Sequence, residues 1–418
     1  MSERVPEGWL QYKVEQIGPF FNGLTGKTSS DFGKGEPFLN YMQIFKQQLS
    51  YNSGAGFVEI LEGEKQNTVQ YGDILFTTSS ETPAEIGMTA VFLETKWSPY
   101  LNSFCFGLRP HKNFPLVPEF ANQFFRGDTF REDIRPLAQG STRYNLSKEN
   151  LKQLSITIPP LPEQKRIASI LTSVDEVIEK TQSLIDKLQD LKTGTMNELL
   201  TKGIGHTEFK DSELGRIPSS WEVKNLPDCL ERIVDCEHRT APEVESSTFY
   251  VVSTNAVKAG ELLEPQLYKT SEEAYQTWTA RETPVSGDVL FTREAPAGES
   301  CCVPEHKKVC LGQRMVLLRP TSSILSSGFL NFFINSDVGK CSIYRLSLGT
   351  TVSRINIEDI KKLKIALPST TEQNSICEIV CSIEVKIQKL VKTRISCQNL
   401  KKSLMQDLLT GKVRVTVN

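Results

Sequence analysis

The chain has 418 residues, enough for two or three domains with a core in each. Its 48 Lys and Arg against 50 Asp and Glu leave a net charge of −2, which excludes a uniformly basic nucleic-acid binder but not a local basic face. With 39% hydrophobic and 23% charged residues the composition is globular, not disordered or fibrous.

In chain order, the N-terminal MSERVPEGWLQYKVEQ lacks the apolar core of a signal peptide. No apolar run approaches the ~20 residues that a bilayer span needs, so the expectation is a cytoplasmic protein with no membrane role. Short β-rich runs follow, FVEIL (57–61) and DILFTT (73–78), separated by Gly, Pro, Asn and Ser, which predicts a mixed α/β head. Three prolines, Pro159, Pro160 and Pro162, then open a long amphipathic segment, as proline is tolerated at a helix entrance. Its apolar positions are Ile167, Ile170, Leu171, Val174, Val177, Ile178, Leu184, Ile185, Leu188, Leu191 and Leu199, a three-and-four spacing that predicts a helix of about 35 residues, about 50 Å at ~1.5 Å each. HTEFKDSELGRIPSS (206–220) is poor in apolar residues and reads as a linker. A second mixed head follows with FYVVS (249–253), DVLFT (288–292) and RMVLLR (314–319). After Pro368 a second long helix carries Ile376, Ile379, Val380, Ile383, Ile387, Leu390, Leu400, Leu404 and Leu408, with Lys386 and Thr393 interrupting the stripe.

The halves repeat. Gly140–Thr201 aligns with Gly349–Thr410 without a gap at an offset of 209, with roughly a third of GSTRYNLSKENLKQLSITIPPLPEQKRIASIL identical to GTTVSRINIEDIKKLKIALPSTTEQNSICEIV. MNELLT (196–201) matches MQDLLT (405–410), GDILFT (72–77) matches GDVLFT (287–292), LRP recurs at 108–110 and 318–320, and PEGW (6–9) echoes PSSW (218–221). The tails match far better than the heads, which points to a shared structural task for the tails and separate specificities for the heads. A helix of this length with one apolar stripe needs a partner, and the second copy in the same chain supplies one. Each helix follows its own head, so the expected pairing is an antiparallel coiled coil.

Signs of catalysis are missing. GLTGKT (23–28) lacks the first glycine of a phosphate-binding loop, whose place is taken by Phe21. The Asn/Asp-Pro-Pro-aromatic motif of adenine methyltransferases is not found; Pro159 and Pro160 lie between Ile158 and Leu161. None of the ten cysteines forms a C-x-x-C pair, and Cys229, Cys236 and His238 match no common zinc spacing, so no metal is expected. Basic character is local. Residues 307–354 hold Lys307, Lys308, Arg314, Arg319, Lys340, Arg345 and Arg354 against Asp337 alone. In the first head the 109–143 stretch has six arginines and lysines against four acids.

The duplicated helix-entry motif L-x-x-L-x-I-x-(I/L)-P-x-x-x-E-Q-x-x-I-x-x-(I/L), carried by LKQLSITIPPLPEQKRIASILTSVDEVIEK and IKKLKIALPSTTEQNSICEIV, together with ELGRIPSSWEV and the GD(I/V)LFT runs, resembles the specificity subunit of type I restriction–modification enzymes. The resemblance implies an α+β fold in which two target recognition domains (residues 1–159 and 217–368) are separated by conserved helical spacers (160–205 and 369–418), with 206–216 as linker and the whole a pseudo-two-fold internal repeat. It implies a non-catalytic subunit that reads a bipartite asymmetric site in double-stranded DNA. Two adenine methyltransferase subunits would dock on the helices, restriction and translocase subunits would join through the complex, and S-adenosylmethionine, ATP and magnesium would reside on those partners. The competing readings are an unrecognised nuclease and a coiled-coil scaffold with no DNA role.

Candidate base-reading or phosphate-holding residues are Thr77, Thr78, Ser79, Arg109, Arg143 and Tyr144 in the first head, and Thr292, Arg293, Glu294, Gln313, Arg314 and Arg354 in the second. Ser103 and Phe104 align with Gln313 and Arg314, and Thr351 and Val352 precede Arg354. Helix pairing and partner docking are assigned to Ile167, Ile170, Val174, Val177, Leu184, Leu188, Leu191, Ile376, Ile379, Ile383, Leu390, Leu400 and Leu404.

Overall fold

A computed structural model describes residues 5–47, 49, 54–347 and 354–416. Thr351 and Val352 fall outside these residues. The architecture is α+β, and the chain divides into two compact units: Met1–Gln182 with Lys392–Asn418, and Ser183–Val391. Each unit thus holds one head, part of the helix that leaves it, and part of the other long helix.

The two heads share one topology. In the first, a four-stranded antiparallel sheet runs in the order Phe20–Asn22, Cys105–Leu108, Ile74–Thr77, Thr89–Val91. In the second the order is Leu230–Asp235, Met315–Pro320, Val289–Thr292, Ser300–Cys302. The repeated I/V-L-F-T strand is central in both, and all four of its residues are buried. Alternation along a strand explains its unbroken apolar run. Ile74 and Phe76 enter one core with Phe106 and Phe125, while Leu75 enters a second with Ala90 and Leu101. Val289 and Phe291, against Leu290, do the same in the second head. Each head is closed by a strand pair between its first and last segments, Leu10–Lys13 with Ser155–Ile158 and Glu222–Asn225 with Lys364–Leu367.

The repeated motifs are matched bonding devices. Asp73 of the first GD pair receives Arg109 of the first LRP in a two-pronged ion pair, Nε to Oδ1 at 2.8 Å and Nη2 to Oδ2 at 2.6 Å. Asp288 receives Arg319 in the same way at 2.7 and 2.8 Å. Both carboxylates are fully buried, and these hydrogen bonds hold both guanidiniums above their ordinary pKa. The E-Q pair at each helix entrance ties the helix to its head. Gln164 donates to Pro115 O and Pro159 O and accepts from Val117 N, each at 2.8 Å. Gln373 donates to Ile324 O and Pro368 O and accepts from Ser326 N at 2.8–3.1 Å. The adjoining glutamates each take the indole N–H of the head's first tryptophan at 3.2 Å, Trp9 to Glu163 and Trp221 to Glu372.

The long helices span Leu161–Lys202 and Thr370–Leu408. Within the first unit, Asp175 meets Lys401 at 2.7 Å and Gln182 bonds Arg394. Numbers rise along one helix as they fall along the other, so the pair is antiparallel. Within the second unit Lys192 meets Glu384 at 2.7 Å. The expected seam is corrected. Val177, Leu184, Leu191, Ile379 and Leu400 are exposed, whereas Ile185 is buried and Val380 enters the second head's core. A strict seven-residue spacing drifts ~20° per heptad around a 3.6-residue helix. Ile167 and Ile376 sit in the cores of the heads their helices leave, and Ile383 is also buried. Ile170, Val174, Leu188, Leu390 and Leu404 are half-buried. The far ends pack on the opposite heads: Met196 and Leu200 join the second head's core, and Leu408 and Leu409 the first head's.

The part-buried Lys192–Glu384 pair should contribute modestly. A double-mutant cycle with Lys192→Ala and Glu384→Ala is expected to give a coupling of about 0.5–1 kcal/mol, shrinking as salt is raised. A coupling of zero at low salt would contradict this.

The expected linker is also corrected. Phe209–Ser212 and Gly215–Pro218 form a hairpin. Ser212 Oγ donates to Gly215 O and accepts from Leu214 N, and Gly215 takes the left-handed conformation (φ 96°) that glycine tolerates best. Ile217 is buried in the second unit's core. Among the described residues no helix is long and apolar enough to cross a membrane.

Candidate nucleic-acid interface

Where the central strand ends, both heads build the same three-way backbone junction. In the first, Thr78 N donates to Phe104 O at 3.0 Å and Leu146 N donates to Thr78 O at 2.8 Å. In the second, Arg293 N donates to Arg314 O and Ile355 N donates to Arg293 O, both at 2.9 Å. Three segments that are distant in sequence therefore meet at one edge of each head. Their side chains differ: Thr78, Ser79, Phe104 and Asn145 in the first head stand where the second has Arg293, Glu294, Arg314 and Arg354.

In the second head, Gln313, Arg314 and Arg354 are exposed and Glu294 is half-buried. Arg314 Nε lies 3.5 Å from Glu294 Oε2, and Glu294 bridges the Arg354 backbone. Arg293 does not belong to this exposed group. It is 8% exposed, its Nη1 reaches both oxygens of Asp235 at 2.8 Å, and its Nε donates to Ile355 O. Asp235 also bonds His238 Nε2 at 3.0 Å, and the carbonyl of His238 accepts the Gln313 side-chain amide at 3.3 Å. Arg293 thus supports the loop that presents Gln313 and Arg314. Thr292 is fully buried and satisfied internally, donating to Pro296 O and accepting from Glu299 N.

The first head is less charged. Phe104 is 56% exposed, and the guanidinium of exposed Arg143 lies over its ring, 6.0 Å from the centroid. Tyr144 is half-buried in a short strand opposite Ser80. Thr77 and Ser79 are buried. Thr78 is half-buried and spends its hydroxyl on Phe104 O. Arg109 is committed to Asp73 and stacks over Phe21. Five of the residues expected to meet DNA, namely Thr77, Ser79, Arg109, Thr292 and Arg293, are therefore held inside the fold by burial or by ion pairs.

The basic face is smaller than the run of charges in the sequence for the same reason. Arg131 is buried, donates to Ala84 O, Ile86 O and Gly87 O, and is lowered to about 10 by desolvation. Arg126 bonds Thr89 O and Phe45 O. Arg319, Lys307 and Lys340 are paired with Asp288, Glu264 and Glu299. Asp235 and His238, which matter to the junction, carried no repeat signal; the Asp73–Arg109 device was visible only as two unlinked repeated strings.

Asp235, Cys236 and His238 bring ligand-type atoms within 4.8 Å of one another. Arg293 already supplies the positive charge that Asp235 needs, so the group is explained without a cation. Cys229 is buried in another core and is not part of it. Lys27 of the GLTGKT loop is paired with Glu64.

The sequence matches the family model described as the type I restriction modification DNA specificity domain twice, over residues 6–190 and 218–396. A putative type I restriction enzyme MjaX specificity subunit from Methanocaldococcus jannaschii is 28% identical, with 98% of this chain and 95% of that protein covered. Two solved structures share the fold. A chain from a study of complex assembly and conformational transition of the type I R-M system superposes with a TM-score of 0.61 at 15% identity, covering 98% of this chain and 100% of that one. The S subunit of a type I restriction–modification system from M. genitalium gives 0.56 at 15% identity, covering 98% and 97%.

Proposed function

Since the chain belongs to the type I restriction–modification DNA specificity family, we propose that it is the non-catalytic subunit that selects the DNA sequence in such a complex. Each head reads one half of a bipartite, asymmetric site in double-stranded DNA. Two adenine methyltransferase subunits dock on the long helices and bring S-adenosylmethionine; restriction subunits joining the complex bring ATP and magnesium chemistry. The observation that carries this reading is the junction built identically in both heads and furnished with different side chains. A scaffold needs no such variation, and two readers of different sequences do.

Base edges are read by exposed polar groups on a rigid frame, while exposed cations such as Arg143, Arg345 and Arg354 are suited to phosphates. Val177, Leu184 and Leu191, turned to solvent on the first helix, suit partner docking rather than pairing within the chain.

The test is methyl transfer from S-adenosylmethionine to DNA by the full chain, alone and with methyltransferase subunits. The expected result is no transfer alone and transfer to a two-part site in the complex. Methylation by the pure chain, or an unchanged methylation pattern when the chain is left out of the complex, would sink the proposal.

A further inference from the structure

The second head carries a more specific message, which rests on the DNA-reading role just proposed. We infer that Arg314 and Glu294 together read one G·C base pair in the major groove, and that Arg293, Asp235 and His238 hold them in place as positioning residues.

Arg314 sits at the tip of a loop in the left-handed conformation, φ 70°. A non-glycine residue pays for that conformation, and such strain persists where the surroundings impose it. Two of the other four described non-glycine residues with positive φ adjoin the same spot: Ala295 directly after Glu294, and His238, whose carbonyl takes Gln313. Beside the loop runs the bonded chain Arg293–Asp235–His238, buried at Arg293, half-buried at Asp235 and exposed at His238. The frame is thus rigid and locally strained, yet its outermost side chain is left open. The Nη groups of Arg314 have no partner among the described residues, and its Nε faces Glu294 at 3.5 Å.

The chemistry of the pair selects its ligand. A guanidinium can donate two parallel hydrogen bonds to guanine O6 and N7, and a carboxylate accepts from cytosine N4. One G·C pair offers both partners side by side. An A·T pair does not: thymine would turn its O4 toward the carboxylate and its methyl group toward a charged edge, and adenine N6 would oppose a guanidinium N–H. The first head has Phe104 and Ser79 at the matching places and cannot read in this way.

The experiment maps N6-methyladenine in DNA modified by the complete complex, with head 2 carrying Arg314→Asn, Arg314→Ala or Glu294→Gln. Asn is included because it enters left-handed backbone more readily than Ala and lacks the guanidinium. Thermal melts matching the wild type establish that the variants fold. Both Arg314 variants should leave one half-site intact and make a single G·C position of the other half degenerate. Affinity for the original duplex should fall roughly 10- to 100-fold, and preference over a duplex with that pair replaced should fall toward one. Glu294→Gln should lose part of the same preference at the same position. A uniform loss for all duplexes with a shallower salt dependence would mean a phosphate contact and overturn the inference. So would an unchanged motif. In both cases a bipartite site would still be methylated; if the wild-type complex methylates no bipartite site, it is the broader proposal that fails.

Discussion

Gln164→Leu and Gln373→Leu should each destabilise the unit that contains them by about 3–5 kcal/mol. Both glutamines are fully buried, and each closes three hydrogen bonds at a helix entrance: two carbonyls and one amide N–H in Gln164, and the same set in Gln373. Leucine preserves most of the volume and satisfies none of the three. Each backbone group orphaned inside the protein costs about 1–3 kcal/mol, and relaxation or water entry recovers part of it. Denaturant unfolding followed by hydrogen exchange should show protection lost in Met1–Gln182 and Lys392–Asn418 for Gln164→Leu, and in Ser183–Val391 for Gln373→Leu. If the units unfold in separate transitions, only one midpoint should move. A shift below about 1 kcal/mol for both variants would show that the E-Q motif is not the structural tie described above.

A larger functional change is expected from exchanging a head. Replacing Glu222–Leu367 with the equivalent head of a relative should change one half of the methylated site completely and leave the other half as it was. The boundaries follow from the strand pair Glu222–Asn225 with Lys364–Leu367, which closes the head on itself. A cut at residue 217, where the sequence reading starts the second recognition domain, would sever the Gly215–Pro218 strand. Specific sites are preferred by roughly 10³-fold or more over unrelated DNA, so the switch should be close to all-or-none in a methylation map. Simultaneous change of both halves would show that the heads do not read independently.

Much of this architecture is legible in the sequence, because duplication displays it twice. The helix entrances, the central strands and the split into heads and tails all lie in strings that match at a fixed interval. What the strings do is less legible. Asp73 and Arg109 are 36 residues apart, and nothing local says that the GD of one string seeks the LRP of another. Periodicity marks Val177, Leu184 and Leu191 as a stripe, but an apolar stripe looks the same whether it faces its own chain or another molecule. Arg109, Arg126, Arg131 and Arg319 look like surface cations in the sequence, although the fold bonds them internally. The hairpin within 206–220 was hidden by polar composition, though Gly215 after Ser212 was its turn signal.

The pairing of each head with the far end of the other helix sets a timetable for synthesis. Leu408 and Leu409 share a core with Phe124 and Phe130, yet the roughly 210 residues of Ser183–Val391 leave the ribosome between the two halves of that unit. At about 5–20 residues per second the first head waits roughly 10–40 s for its last helical turns. Throughout that interval the face that Leu408 and Leu409 cover stays open, while the second unit, contiguous in the chain, can close as soon as it emerges. The first head to be made is the last to be finished, and the face beside Phe124 and Phe130 is the part that closes last. A premature stop at Lys392 removes Leu408 and Leu409 from the first unit's core while sparing the residues of the second.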